Sequence, residues 1–420
     1  MQKLTLAVLI QAALISSVYA SEQSEAKGFV EGAEGNLHFR TGFLMRDKKQ
    51  GADDTRSSGQ SMMYKIDSGF TQGVVGFGAG VIGDASFGLS DNKNASNGMV
   101  PVRHDGTAYD HWARGGAYVK ARISNTTATY GTQILDIPVL ASNTVRLVPE
   151  YFEGVLVTSN EIENLELLAG KFTKNQYSSD MDSDGRNLDR AVVWGAKYKF
   201  NDDLNASYYG VEVKDKLDRH YANANYTYGL KDDASLNFDV SGYHTDFKEG
   251  ASTYSETTDD PSKRQNSIWA VSTSYSKDVH NVGLAYQQNS GNVGYDYGEN
   301  ADGIQSIYLP NSYLSDFVGN NEKSLGLQYN YNFKHQGLPG LSWTTAFVYG
   351  WDIDVRDKEK EGEEREFFNQ VKYTVQNGVM KDSSLRLRHS YLRANDAYRG
   401  AYMGDINEWR IWLDIPVKLF

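Results

Sequence analysis

The segment from Lys323 to Phe333 sets Leu325, Leu327, Tyr329, Tyr331 and Phe333 in alternation with Ser324, Gly326, Gln328, Asn330 and Asn332. Successive side chains of a β-strand point to opposite faces, so this stretch makes a ribbon with one apolar and one hydrophilic side. Ala234 to Tyr243 repeats the pattern, with Leu236, Phe238 and Val240 against Ser235, Asn237, Asp239 and Ser241. Such alternation fits a strand of a soluble sandwich as well as one that faces lipid on one side and water on the other. The connections between the strands decide between the two.

From residue 191 onward, short and long connections alternate, as they do when one rim of a membrane barrel faces the periplasm and the other the medium. The short ones lie near Asn201 to Asp203, Leu230 to Asp233, Lys277 to Asn281, Lys334 to Gly340 and Asn377 to Ser383; the long ones fall at about 214–220, 245–266, 290–322, 352–366 and 393–408. This predicts strands at 191–200, 204–213, 221–229, 235–244, 267–276, 282–289, 323–333, 341–351, 367–376, 384–392 and 409–419. Seven more fit at 36–46, 60–70, 74–82, 112–124, 126–134, 153–159 and 163–173, which makes eighteen. The expected fold is therefore an all-β, transmembrane antiparallel barrel. Its even strand number returns both termini to the periplasmic rim. Sixteen strands is the alternative, because Gly83 to Arg114 is hard to read. Eighteen strands enclose a lumen too wide for side chains to fill, so something must narrow it.

Composition agrees. No stretch after the first twenty residues has the roughly eighteen uninterrupted apolar residues that a membrane helix needs, yet the chain carries 28 Tyr and 40 Gly with a mean hydropathy of -0.55. Residues 1–20 read as a secretory leader: Lys3, an apolar run from Leu4 to Ile15, and Ser16-Ser17-Val18-Tyr19-Ala20 before Ser21. An uncleaved anchor would ask for a longer run. The barrel domain is then 21–420. With no cysteine, disulfides and cysteine-based metal or nucleophile sites are excluded. The net charge is -12, and -13 once the leader's single Lys3 is removed (-12 - 1), which argues against nucleic acid as a partner. Acidic residues crowd the long connections, as in Asp352 to Glu366, where solvent and the divalent-bridged lipopolysaccharide of an outer leaflet would meet them.

The segment Tyr130-Gly-Thr-Gln-Ile-Leu-Asp-Ile-Pro-Val-Leu-Ala-Ser-Asn-Thr-Val-Arg-Leu-Val-Pro-Glu-Tyr-Phe-Glu-Gly154 resembles the third-loop region of the OprD family of outer-membrane porins. Further matches are Gly69-Phe-Thr-Gln-Gly-Val-Val-Gly-Phe-Gly78, Glu166-Leu-Leu-Ala-Gly-Lys-Phe172, Leu309-Pro-Asn-Ser-Tyr-Leu-Ser-Asp-Phe317, Asn321-Glu-Lys-Ser324, Leu338-Pro-Gly-Leu341 and Asp405-Ile-Asn-Glu-Trp-Arg410. The resemblance implies eighteen strands and third and seventh external loops folded inward to a constriction. It also implies a ladder of Arg and Lys that hands a carboxylate along one wall, opposed by acidic groups. By the strand count alone, 135–152 is the third external loop and 290–322 the seventh.

Parity places the ladder. Leu385 and Leu387 go to lipid, so Arg386 and Arg388 face the lumen; Trp409, Ile411 and Leu413 go out, leaving Arg410 inside. Arg40 alternates with Phe39 and Thr41, and Lys120 and Arg122 with Val119, Ala121 and Ile123. A guanidinium on the lipid face costs roughly 2–4 kcal/mol at midplane. In a closed barrel the first and last strands are neighbours, so Arg40, Arg386, Arg388 and Arg410 share one patch. The resemblance adds Arg146 in the third loop. Lys171 is a weaker candidate, and Asp136, Asp316, Tyr308 and Tyr313 are the acidic and polar candidates at the constriction.

Other motifs are set aside. Gly78-Ala-Gly80-Val-Ile-Gly83 spells a dinucleotide fingerprint with no helix after it. Asp180, Asp182 and Asp184 with Gly185 copy half of a calcium loop, with Ala191 where the bidentate Glu belongs. The eight His show no metal spacing, and no Ser-His or Asp-His pair marks a barrel lipase or protease. The expectation is an outer-membrane channel of a Gram-negative bacterium, monomer or loose homotrimer, without cofactor or catalytic step. It would admit small carboxylates, aromatic or cyclic, or basic amino acids; a general, weakly selective porin is the rival.

Overall fold

The computed structural model describes residues 21–90, 94–251, 253, 260, 263–298, 307–356 and 358–420. The expected leader, 1–20, lies outside the described residues. The barrel strands are β1 (Glu34–Lys48), β2 (Thr55–Asp67), β3 (Val75–Gly88), β4 (His111–Ile123), β5 (Thr126–Gln133), β6 (Tyr151–Ile162), β7 (Leu165–Gln176), β8 (Ala191–Lys199) and β9 (Leu204–Val213). They continue as β10 (Leu217–Gly229), β11 (Ser235–Phe247), β12 (Gln265–Lys277), β13 (His280–Gly291), β14 (Lys323–Asn332), β15 (Leu341–Ile353), β16 (Gly362–Thr374), β17 (Ser384–Ala394) and β18 (Ile406–Lys418). Each pairs antiparallel with the next, and β1 pairs with both β2 and β18, so the 18-stranded sheet closes. Closure leaves no edge, which hydrocarbon demands, since it offers no partner to an unpaired N–H or C=O.

Parity holds. Leu325, Leu327, Leu385, Leu387, Trp409 and Ile411 are exposed on the outer surface while Ser324, Arg388, Ser390 and Arg410 between them are buried. Phe420, out of phase with this pattern, lies past the end of β18 at Lys418. One boundary moves. β16 begins at Gly362 rather than at 367, so Glu364 and Glu366, expected in a solvated loop, are buried on the inner face.

The described N-terminal segment also turns inward. The Gln23 side chain donates to the carbonyls of Thr71 (2.9 Å) and Gly73 (3.0 Å), accepts from Arg122 Nε (3.1 Å), and its backbone N–H donates to Ser124 (3.1 Å). It fits because β3 presents a glycine column there. A Cβ on Gly76 would overlap the Gln23 amide, one on Gly80 the Tyr118 ring, and one on Gly78 would come within 2.5 Å of Lys120 Cε. The fingerprint-like glycines thus make room on the inner wall. Gly76→Val is expected to expel Gln23, and with hydrogen bonds worth about 1 kcal/mol each, added protease should trim residues 21–33 several-fold faster while the folded barrel's gel migration stays unchanged.

Candidate functional site

The inner wall has two unlike sectors. Along β7 to β12 it is apolar: Phe172, Val193, Tyr209, Val211, Tyr221, Tyr243 and Ile268 form one buried cluster with Leu135, Ile137, Val139 and Leu140 of the third external loop and Val293, Tyr295, Ile307 and Leu309 of the seventh. Burial of that face is what draws both loops into the barrel, at roughly 25 cal/mol per Å² of apolar surface removed from water. Tyr243 pins both: its hydroxyl donates to Pro138 O (3.1 Å) and accepts from the Tyr308 N–H (3.1 Å). Tyr308 then donates its own hydroxyl to Asp136, joining the loops directly. Burial, and then the Asp136 carboxylate, push the Tyr308 hydroxyl well above the usual tyrosine range, so it remains a donor.

Buried polar groups position what is left of each loop. In the seventh, the Glu366 carboxylate accepts the N–H groups of Leu314 and Ser315 (2.9–3.1 Å) and Glu364 accepts from Ser315 Oγ (2.9 Å). Gln287 and Asn289 donate to the carbonyls of Asp316, Phe317, Val318 and Gly319 at 2.7–2.9 Å. Arg219 reaches Tyr297 O (2.9 Å) and stacks on Tyr295. In the third, Arg114 forms a salt bridge with Asp84 (2.9 Å, both side chains fully buried) and donates to Pro149 O (2.7 Å).

Two constriction candidates therefore do not line the lumen. Asp316 is 4% exposed and accepts from Ser312 and Tyr297, which holds the seventh loop together. Tyr313 is packed against Phe368 with its hydroxyl on Gln328 (2.7 Å).

The opposite sector, β16 through β18 to β1, carries the basic residues. Arg388 and Arg410 face each other in register. Arg410 pairs with Glu408 (2.5 and 3.1 Å), and so does Arg46 (2.8 Å). Arg40 pairs with Asp414 (2.6 Å) and donates to Thr144 O (2.9 Å) and Arg146 O (2.8 Å), so it also fastens the third loop. His38 shares Asp414 at 2.7 Å. The side chains of Arg386, Arg388 and Lys372 make no hydrogen bond or ion pair among the described residues; Arg388 is 5% exposed with its guanidinium over the Phe368 ring.

Between this wall and the third loop lies a chamber of about 450 Å³, lined by Arg40, Arg386, Lys372 and Asp414 on one side and Ile134, Thr144, Val145 and Pro149 on the other. Nearer the external rim, Arg146 lines a smaller cavity of about 140 Å³ with Arg46, Asn143, Glu150 and Ser178.

The remaining candidates lie apart. Lys120 pairs with Asp67, and Arg122 with Gln23 and Glu22, both beside Phe70 at the periplasmic mouth. Lys171 alternates with buried Phe172 and falls on the outer face. In the 180–185 loop, Asp180 pairs with Arg186 and Asp184 accepts the N–H groups of Asn175 and Leu188. No group of three metal-capable side chains converges among the described residues. A Ser-His pair does occur, Ser267 with His244 at 2.7 Å, with Asp246 at 3.5 Å; His244 and Ser267 are register partners, so this is an ordinary cross-strand contact on the outer face.

Parity could have found more than it was asked for. Lys372 lies between outward Val371 and Tyr373, Arg46 shares the phase of Arg40, and Glu408 and Asp414 share that of Arg410. Which cations are already neutralised is a matter of pairing across strands, and alternation within one strand does not show it.

A closed eighteen-stranded barrel whose passage is narrowed by two inward loops defines an outer-membrane diffusion channel, a porin. The chain belongs to the OprD family: the family model described as outer membrane porin, OprD family, matches residues 27–419. It is 35% identical to Porin D of Pseudomonas aeruginosa over 434 aligned residues, covering 96% of this chain and 95% of that one. Among solved structures, OccAB1 of Acinetobacter baumannii is 64% identical with a TM-score of 0.92, covering 95% of this chain and 100% of that one. OpdK of Pseudomonas aeruginosa, solved with vanillate, is 25% identical with a TM-score of 0.82, over 93% and 100%. The protein is thus a substrate-specific porin of the outer membrane of a Gram-negative bacterium.

If Glu366 anchors the seventh loop, Glu366→Ala strips acceptors from two buried N–H groups at about 1–3 kcal/mol each. Single-channel recordings should then show higher conductance and noisier open states; an unchanged trace would contradict the anchoring.

Proposed function

We propose that the channel passes small carboxylates along the β16–β1 wall, with Arg386, which lines the chamber, as the principal capture site and the buried Arg388 backing it. The observation that carries this reading is their lack of any protein acceptor, while Arg40, Arg46 and Arg410 beside them are engaged by Asp414 and Glu408. A guanidinium with no bonded acceptor still has hydrogen-bond donors to satisfy, and a carboxylate is the ligand whose geometry matches a guanidinium fork.

A solute would meet Arg146 and Arg46 first, pass Arg410 and Arg388, and leave through the chamber of Arg386, Lys372 and Arg40. A unit pair at 4 Å and an effective dielectric of 20 is worth about 4 kcal/mol before dehydration is deducted. That is enough for capture, and the adjacent like charges at each step keep release possible, as conduction requires. Of the two acidic candidates, Asp136, at the joint of the two loops, is the one left to face an incoming cation. No step makes or breaks a covalent bond, and no cofactor takes part. The vanillate in the OpdK structure supports small aromatic acids as the substrate class. The segment 1–20 would be removed on export.

The test is solute flux into liposomes. Arg386→Gln with Arg388→Gln should cut vanillate uptake roughly 10- to 100-fold, taking charged hydrogen bonds at about 1.5–3 kcal/mol, and leave neutral vanillin nearly unchanged. Equal loss for both solutes, or for neither, would remove the ladder and leave a general pore.

A further inference from the structure

The third external loop lays Leu135, Ile137, Val139 and Leu140, each 4% exposed or less, against the apolar sector of the wall. Ile134, one residue before them, is 40% exposed and lines the chamber of about 450 Å³ on the other side of the loop. An apolar side chain left open on the outer face meets lipid. This one is open to the solute path.

The backbone on either side fixes it there. The Gln133 side chain donates to Gly154 O (3.1 Å), the Leu135 N–H donates to Ser142 Oγ (2.9 Å), and Leu135 O accepts from the Ser142 N–H (2.9 Å). Leu135 is thus turned into the buried cluster and Ile134 toward the chamber. Farther along the loop, Arg40 holds the carbonyls of Thr144 and Arg146, and Val145 between them lines the same space. Val145 is 6% exposed and Pro149 is also buried, so Ile134 is the loop's accessible apolar contact in the chamber.

The wall across from it is basic. Lys372 and Arg386 are register partners on β16 and β17, both line the chamber, and neither side chain has an acceptor among the described residues. Of the other charged groups lining it, Asp414 is taken by Arg40 and His38, and Asp382 sits at the exposed turn before β17. A space of this size is in the range of small-molecule sites, roughly 300–1,000 Å³, where an apolar surface and a few placed polar groups together fix how a ligand lies.

We infer that Ile134 is a specificity-determining residue of the passage: with the carboxylate on Arg386 or Lys372, it receives the body of the solute and favours a bare hydrocarbon ring over a hydroxylated one. Hydroxyls laid on Ile134 lose water without gaining a partner, whereas a bare ring gains by leaving water. This role rests on the carboxylate reading above and adds which residue reads the rest of the molecule.

Reversal potentials across planar bilayers containing the full chain test it, with sodium benzoate on one side and sodium shikimate on the other, two ring monocarboxylates of which only the second is hydroxylated. The wild type should prefer benzoate. Ile134→Asn should lower the benzoate-to-shikimate permeability ratio roughly five- to tenfold, the worth of about 40–55 Å² of apolar contact at 25 cal/mol per Å², and Ile134→Leu, which keeps that contact, should hold it within about twofold. A loosened loop would change the permeability of both anions together, so the ratio separates lost recognition from lost structure. No preference in the wild type, or the same ratio in wild type and Ile134→Asn, would overturn the assignment. Failure of the carboxylate reading looks different: in a gradient of either salt, sodium would outrun the anion through the wild type, and Ile134 would lose its role with the ladder.

Discussion

A guanidinium cannot rest in hydrocarbon, and that one constraint orders this molecule. With strands fixed in alternation, an arginine flanked by Leu385 and Leu387 or by Trp409 and Ile411 has only the lumen to occupy. Once the sheet closes between β1 and β18, the arginines of three consecutive strands share one wall. Near the rim the same rule relaxes, and Arg365 and Arg393 stay on the outside where headgroups replace acyl chains.

The lumen then divides by solubility. A wall of tyrosines, phenylalanine and aliphatic residues from β7 to β12 is too apolar to face water, and the third and seventh loops cover it. Their backbone groups, deprived of solvent, are met by buried side chains placed for them: Glu366, Gln287 and Asn289 for one loop, Arg114 and Arg40 for the other. What stays open is the part of the basic wall lined by Arg40, Lys372 and Arg386. Narrowness and charge thus have one origin, since the loops leave free the wall they cannot cover.

Much of this was legible in the sequence. The eleven strands from residue 191 onward were, because their connections alternate in length; the seven before it were placed with looser bounds, β3 running on to Gly88 inside the stretch that was hard to read. The inward set of Arg40, Arg386, Arg388 and Arg410 followed from parity. The start of β16 was not legible: Glu363-Glu364-Arg365-Glu366 reads as a solvated loop, and only the seventh loop packed above Glu364 and Glu366 explains why they are buried. Asp316 and Tyr313 were misplaced for the same reason, since a loop's own side chains satisfy one another through contacts far apart in sequence. Lys171 failed more simply, being in phase with lipid-facing Leu167.

The account turns on Arg386 and Arg388 holding charge without a protein partner while their neighbours are neutralised. Crystals soaked with 4-bromobenzoate and measured at the bromine edge would test this most directly. The account predicts an anomalous peak in the lumen whose carboxylate lies about 2.7–3.2 Å from Arg386 or Arg388. Bromine found only outside the barrel, or a carboxylate that bypasses both arginines for the paired Arg40 and Arg410, would contradict it.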